Sequence, residues 1–148
     1  KEVVINESIR TDFSNAKMNG VKIGKLNQEK HQKFFFANFS NTDLTGMQAF
    51  GVGFFGCDFN NGLLENTNVK KADIVQSDFI NAKMSNVSME QIWFQFVSFE
   101  DAIMTDSIID DSSFIDVSLA NTNLERTKIS IKSFGTNNFN CKNNSICN

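Results

Sequence analysis

The chain has 148 residues, a net charge of −3, 16 Phe against one Trp and no Tyr, and no Pro at all. This length predicts one domain. The slightly acidic balance excludes the basic footprint of direct nucleic-acid binding, and no run of 18 apolar residues offers a membrane-spanning helix. Phe carries apolar area without a polar handle, so these rings are expected inside. The lack of Pro suits an unbroken ladder of backbone hydrogen bonds.

Residues 1–10 hold an apolar run, Val3-Val4-Ile5, expected as an N-terminal cap. Then Phe13, Met18 and Ile23 set a step of five. The step is interrupted at Gly24–Lys33 and resumes at Phe34. From Phe34 through Phe39, Leu44, Ala49, Phe54, Phe59 and onward to Phe139, every fifth residue is apolar, and only Ala49 is small. A fixed repeat is read before anything else because it dictates the architecture. From 37 to 127 the residue two places before the large one is small or β-branched, as in Ala37, Thr42, Val52, Cys57, Gly62, Thr67 and Ala72. The exception is Met47, which precedes Ala49. Large and small have exchanged places within one repeat, which conserves volume as a packed interior demands. Both positions are therefore expected to point inward. Neither the helical period of 3.6 nor the strand period of 2 fits. A step of five with two inward residues means a short extended piece followed by a corner.

Units such as Ala37-Asn38-Phe39-Ser40-Asn41, Thr42-Asp43-Leu44-Thr45-Gly46, Ala72-Asp73-Ile74-Val75-Gln76, Ala82-Lys83-Met84-Ser85-Asn86 and Thr122-Asn123-Leu124-Glu125-Arg126 carry a family likeness. The pattern small–polar–large–polar–polar resembles that of pentapeptide-repeat proteins, over roughly residues 11–135. The resemblance implies an all-β fold, a right-handed quadrilateral parallel β-helix with four repeats per coil. We expect about six coils in one domain over 1–148, with a cap at 1–10, coils at 11–135 and a tail at 136–148. The start at Lys1 is compatible with a fragment of a longer chain.

Sorting the large residues by twenty tests the coil independently. The first column reads Phe34, Phe54, Ile74, Phe94, Phe114, Phe134, and the second Phe39, Phe59, Phe79, Phe99, Leu119, Phe139. The third and fourth are aliphatic, through Leu44 and Leu64 and through Val69 and Met89. Residues twenty apart would then stack about 4.8 Å from one another, the spacing of paired strands, close enough for offset ring stacking. Phe13, Met18 and Ile23 fit columns two to four of an earlier coil, which leaves six extra residues before Phe34. These predict a protruding loop within 24–33 that carries Lys25, Lys30, His31 and Lys33. Past Ile129 the inward small sites become Lys132 and Asn137, so packing is expected to fail there. The Asn-rich tail reads as a loose end or an irregular cap.

The chemistry is sparse. His31 is the sole histidine, nothing in the sequence places a nucleophile or carboxylate beside it, and a solvated loop residue is the expected role. Cys57 falls on an inward small site, so packing is its expected role. Cys141 and Cys147 lie six apart, which leaves a disulfide open in an oxidising setting; two Cys without His neighbours make a poor zinc site. No catalytic residue, cofactor site or metal site is expected. Asp101, Asp106, Asp111 and Asp116 hold one place in four successive repeats, so they circle a coil as a belt. A corner that favours Asp or Asn explains them, and Asn41, Asn61, Asn81 and Asn121 form the equivalent column. The outward positions of the first face are different: Phe35, Phe55, Val75 and Ile115, with Trp93 beside them, Phe36 and Phe96 at the corners and Phe50 at the adjoining corner. An apolar patch of this kind marks an interface, unless it only covers a terminus or the loop. Three functions follow as expectations. The first is non-enzymatic binding of a protein partner or a second copy through the first face. The second, from the resemblance, is a DNA-mimicking inhibitor of DNA gyrase or topoisomerase. The third is the repeat domain of a secreted bacterial effector such as a ubiquitin ligase. A cytoplasmic location, or secretion into a host cell for an effector, goes with these.

Overall fold

The computed structural model describes residues 7–24 and 32–147. Every strand pairing is parallel, and no helix is present among these residues. The first face stacks β1 (Glu7–Ile9), β3 (Gln32–Phe35), β5 (Val52–Phe55), β7 (Asp73–Val75) and β9 (Trp93–Gln95). The fourth face stacks β2 (Lys22–Ile23), β4 (Gln48–Phe50), β6 (Asn68–Lys70) and β8 (Ser88–Glu90). Two longer strands, β10 (Ile108–Ile115) and β11 (Lys128–Phe134), run through the corner from the fourth face into the first. The second and third faces are ladders of single bridges, such as Asn38↔Asp58↔Asp78 and Asp43↔Leu63↔Lys83. The molecule is a four-faced parallel β-solenoid. Partners differ by 20 in number along the coils, as in Phe54↔Ile74, and by 26 across the interruption, as in Ile9↔Phe35. The six inserted residues read from the sequence are that difference.

The faces differ because their local chemistry differs. On the second and third faces the residue before the large one is often Asp or Asn. Its side-chain oxygen accepts the N–H two residues on: Asn38 from Ser40 at 3.0 Å, Asp43 from Thr45 at 3.1 Å, Asp58 from Asn60 at 2.8 Å. The large residue's carbonyl then accepts the N–H three residues on, as in Phe39 with Thr42 and Phe59 with Gly62. The residue in between has positive φ: Asn41 at 55°, Gly46 at 71°, Asn61 at 57°, Asn81 at 58°. A turn whose third residue needs φ > 0 selects Gly and Asn, and this accounts for the polar corners of the repeat. The acidic belt also sits at positive φ, with Asp101, Asp106, Asp111 and Asp116 between 46° and 57°.

Both inward positions are buried, from Phe34, Phe39 and Leu44 to Ala37, Val52 and Cys57. Rings of the second column stack closely: Phe39 on Phe59 at 4.8 Å and Phe59 on Phe79 at 4.6 Å, each within 4° of parallel. First-column rings meet them edge-on, Phe54 against Phe59 at 5.2 Å and 86°. In the first column Ile74 interrupts the rings after the stacked Phe34–Phe54 pair, and Phe94 then meets Phe114 edge-on at 80°. Polar inward residues other than Thr67 find backbone partners, as where Thr122 Oγ1 donates to Phe99 O at 2.6 Å and Ser77 Oγ to Val75 O at 3.0 Å.

The two ends depart from the expectations. β1 is the first-face strand of the earliest coil, with Ser8 buried opposite Phe34, so residues 7–9 lie in the wall and do not cap it. At the other end the pairing slips from 20 (Ile109↔Ile129) to 19 (Ser112↔Ile131). Lys132, expected inward, therefore lies outside and pairs with Asp111 at 2.6 Å, while Ile131 takes the inward site against the core. Burying an unpaired ammonium is costly, and a one-residue slip avoids it. The slip also puts Ser133, not Phe134, opposite Phe114, and Phe134 opposite Ile115. The register returns to 20 at Ser118↔Asn138, just past Gly135 at φ 77°. Asn137 does sit at its inward site, where its Oδ1 accepts from Val117 N at 2.9 Å. The tail forms an irregular cap. Cys141 and Cys147 are disulfide-bonded, Ile146 packs on the core, and Asn144 Nδ2 donates to Thr127 O at 2.8 Å.

Candidate functional site: the outer first face

On the first face the residue before the large one is Lys33, Gly53, Asp73, Trp93 or Ser113, so the Asx-turn pattern is largely absent and the chain stays extended. The next outward position forms a column along the rod, Ile9↔Phe35↔Phe55↔Val75↔Gln95↔Ile115. The structure thus brings Phe35, Phe55, Val75 and Ile115 into line, each half-buried by its neighbours, with polar Gln95 as the one interruption in that run. Phe35 and Phe55 stack at 5.1 Å and 17°. The ring of Phe55 lies over Gly53, where a Cβ would come within 2.4 Å of it. Trp93 and Phe96 stand out from the next-but-one strand, 43% and 51% exposed.

Ile9 belongs to this column, is 63% exposed, and was missed by reading residues 1–10 as a cap. The signal was present: subtracting the 26-residue offset from Phe35 gives position 9.

The first-face corners carry a second departure. Phe36 and Phe96 have φ of 54° and 53°, in the left-handed region. A bulky side chain there is strained by about 1–2 kcal/mol relative to ordinary backbone; the same corner holds Arg10, Gly56, Gln76 and Asp116 in other coils. Part of the compensation for Phe36 is local: its ring packs on Gly56, where a Cβ would lie 2.6 Å from the ring. Phe36 is nevertheless 59% exposed.

The other candidates are dispersed. Lys25, Lys30 and His31 lie outside the described residues. Lys33 lies exposed on β3, and the Gly24 N–H donates to Gln32 Oε1 at 3.0 Å. Gly24 has φ 74°, and a Cβ on it would lie 2.0 Å from Phe50 O, so no other residue fits there. Burial pushes the Cys57 thiol up to about 11, which suits packing and not nucleophilic chemistry. The hydrogen bond from Arg126, at 2.5 Å, holds the Asp106 carboxyl below its ordinary range, and Lys132 does the same to Asp111. Asp116 accepts the Thr136 N–H at 2.8 Å. Asp106, Asp111 and Asp116 of the belt are thus tied into the coil walls. Burial, helped by Asp58 and Glu100, raises the Asp78 carboxyl. Among the described residues no group of His, Cys, Asp and Glu is arranged to hold a metal ion, and no helix is long and apolar enough to cross a membrane.

Residues 54–91 match the family model of pentapeptide repeats, in eight copies, and this part of the chain is pentapeptide-repeat sequence. The left-handed corner recurs every five residues from Phe36 to Arg126, so the coils on either side are built on the same unit. Three solved structures are similar. QnrB1, described as a plasmid-mediated fluoroquinolone resistance protein, is 18% identical, with 86% of this chain and 67% of that one covered and a TM-score of 0.47. Rfr23, a pentapeptide repeat protein from the cyanobacterium Cyanothece 51142, is 18% identical over 87% and 88% of the chains, with a TM-score of 0.40. HetL, a pentapeptide repeat protein involved in heterocyst differentiation regulation in Nostoc, is 9% identical over 90% and 84%, with a TM-score of 0.33. In two further QnrB1 structures the chain spans 64% and 63% of the length. No curated protein matches.

Proposed function

We propose that this chain is a non-enzymatic docking module whose outer first face binds another protein. The observation that carries this is the pair Phe36 and Phe96, exposed aromatic rings held on left-handed backbone. Neither ring is needed for the coil to close, since Arg10, Gly56, Gln76 and Asp116 serve the same corner in other coils, and Gly does so without the strain. The cost is consistent with selection for an exposed aromatic surface, and Trp and Phe are the side chains that anchor interfaces. The column from Ile9 to Val75 extends that surface along the rod. A DNA-like inhibitor surface is less well supported, because Asp106 and Asp111 are already paired with Arg126 and Lys132.

The test compares the chain with a Phe55→Asp, Ile115→Asp double variant. Circular dichroism should report the same β-solenoid in both. Immobilised wild-type chain should retain a specific protein from extract of the source cells, and the variant should lose at least tenfold of it. Equal retention of the same proteins by both would overturn the reading.

A further inference from the structure

Resting on that docking reading, we propose that the occupant of the first face is a second copy of this chain, packed antiparallel about a twofold axis that crosses the face at β7. Such an axis reverses the order of strands along the rod and leaves the sideways order of columns unchanged. β5 of one copy then meets β9 of the other, β3 meets the first-face half of β10, β1 meets the same half of β11, and β7 meets itself.

Three correspondences follow from this register. Trp93 occupies the same column as Gly53, and Phe96 the same column as Gly56. The antiparallel register therefore sets the two protruding rings of one copy on the one first-face strand that lacks a Cβ at both flanks. There the rings of Phe55 and Phe36 already lie over the glycines as an aromatic floor. In the central column, Phe35 meets Ile115 and Val75 meets its own copy. At the ends, exposed Glu7 meets exposed Lys132, which already pairs with Asp111 of its own copy at 2.6 Å, so the ammonium would bridge two carboxylates on each side of the axis. At the axis itself Asp73 meets Asp73, with exposed Lys71 of each copy beside it to offset the repulsion. A parallel packing lacks these matches: it turns Trp93 onto Gln95 of its own strand level and Glu7 onto Ile9.

The face is about 29 Å long, six strand spacings, and about 10 Å wide, three extended residues. A few hundred Å² per copy is well below the roughly 800 Å² of a standard interface. The dimer is accordingly weak, reversible and dependent on concentration.

Trp93 is the only tryptophan, and the three native cysteines are silent, Cys57 being buried and Cys141 bonded to Cys147. Sedimentation across a concentration series should give a monomer–dimer equilibrium, and Trp93 emission should shift to the blue over the same range. Under a mild oxidant Val75→Cys should cross-link into dimers, because it lies on the axis. Ile9→Cys should not, because its two copies lie about 29 Å apart. Trp93→Asp, with its fold checked by circular dichroism, should shift dissociation to at least tenfold higher concentration. Monomer at every concentration would overturn the second copy as occupant and leave the docking reading to its own test above. A dimer that is indifferent to Trp93→Asp, or that cross-links through Ile9→Cys, would overturn the antiparallel first-face geometry.

Discussion

Thr67 and Thr122 occupy the same inward small site of the five-residue unit, on the fourth and the third face, yet their hydroxyls differ in fate. Thr122 Oγ1 donates to Phe99 O at 2.6 Å, as the inward hydroxyls of Thr42 and Ser107 donate to Phe13 O and Met84 O. Thr67 Oγ1 is buried with no hydrogen-bond partner among the described residues. A buried hydrogen bond contributes about 1 kcal/mol, whereas an unsatisfied hydroxyl costs its desolvation. Thr122→Val should therefore lower stability by about 1 kcal/mol in urea unfolding, and Thr67→Val should leave it unchanged or raise it. A larger loss at Thr67 than at Thr122 would show that this bookkeeping of inward hydroxyls is wrong. The sequence displays both as small inward residues; which hydroxyl reaches a carbonyl depends on distances of a few tenths of an ångström that no pattern contains.

At the scale of the element, each five-residue unit is a short extended piece and a left-handed corner, and the corner residue is where folding and binding pull apart. Phe96→Asn places a residue tolerant of positive φ where a bulky one stands. It should stabilise the solenoid by about 1 kcal/mol while weakening attachment to the partner, a combination that a purely structural ring would not show. Phe36→Asn should gain less, because the Phe36 ring also packs on Gly56. Thermal unfolding of the two variants checks the order. The element scale also shows how far a repeat can be read. The five-residue step identifies the corners and the two inward columns from Phe34 to Ile129 without error in kind. It fails at β11, because the charge of Lys132 makes a slip cheaper than burial in the expected register.

The whole molecule is a rod whose end beyond Leu124 is closed by the tail. A solenoid end left open exposes sheet edges and core. Here Asn144 satisfies carbonyls of the last turn, Ile146 covers apolar residues, and the Cys141–Cys147 bond holds the two sides of the cap together. A disulfide closing so short a loop contributes about 2 kcal/mol. Reduction should therefore lower the unfolding midpoint in denaturant, and Cys141→Ser, Cys147→Ser should match the reduced protein. Identical midpoints with and without reductant would show that the cap is held by packing alone. The sequence by itself determined the five-residue unit, the stacking of unlike columns, the six-residue insertion and the apolar character of the outer first face. All of these follow from local volume, polarity and turn chemistry, which are properties of residue type and spacing. Only the tertiary structure decided that Lys132 lies outside and that the tail is a bonded cap. Those depend on register between coils, where one residue of slip moves a side chain from core to solvent, and register is set by the sum of all contacts along the rod.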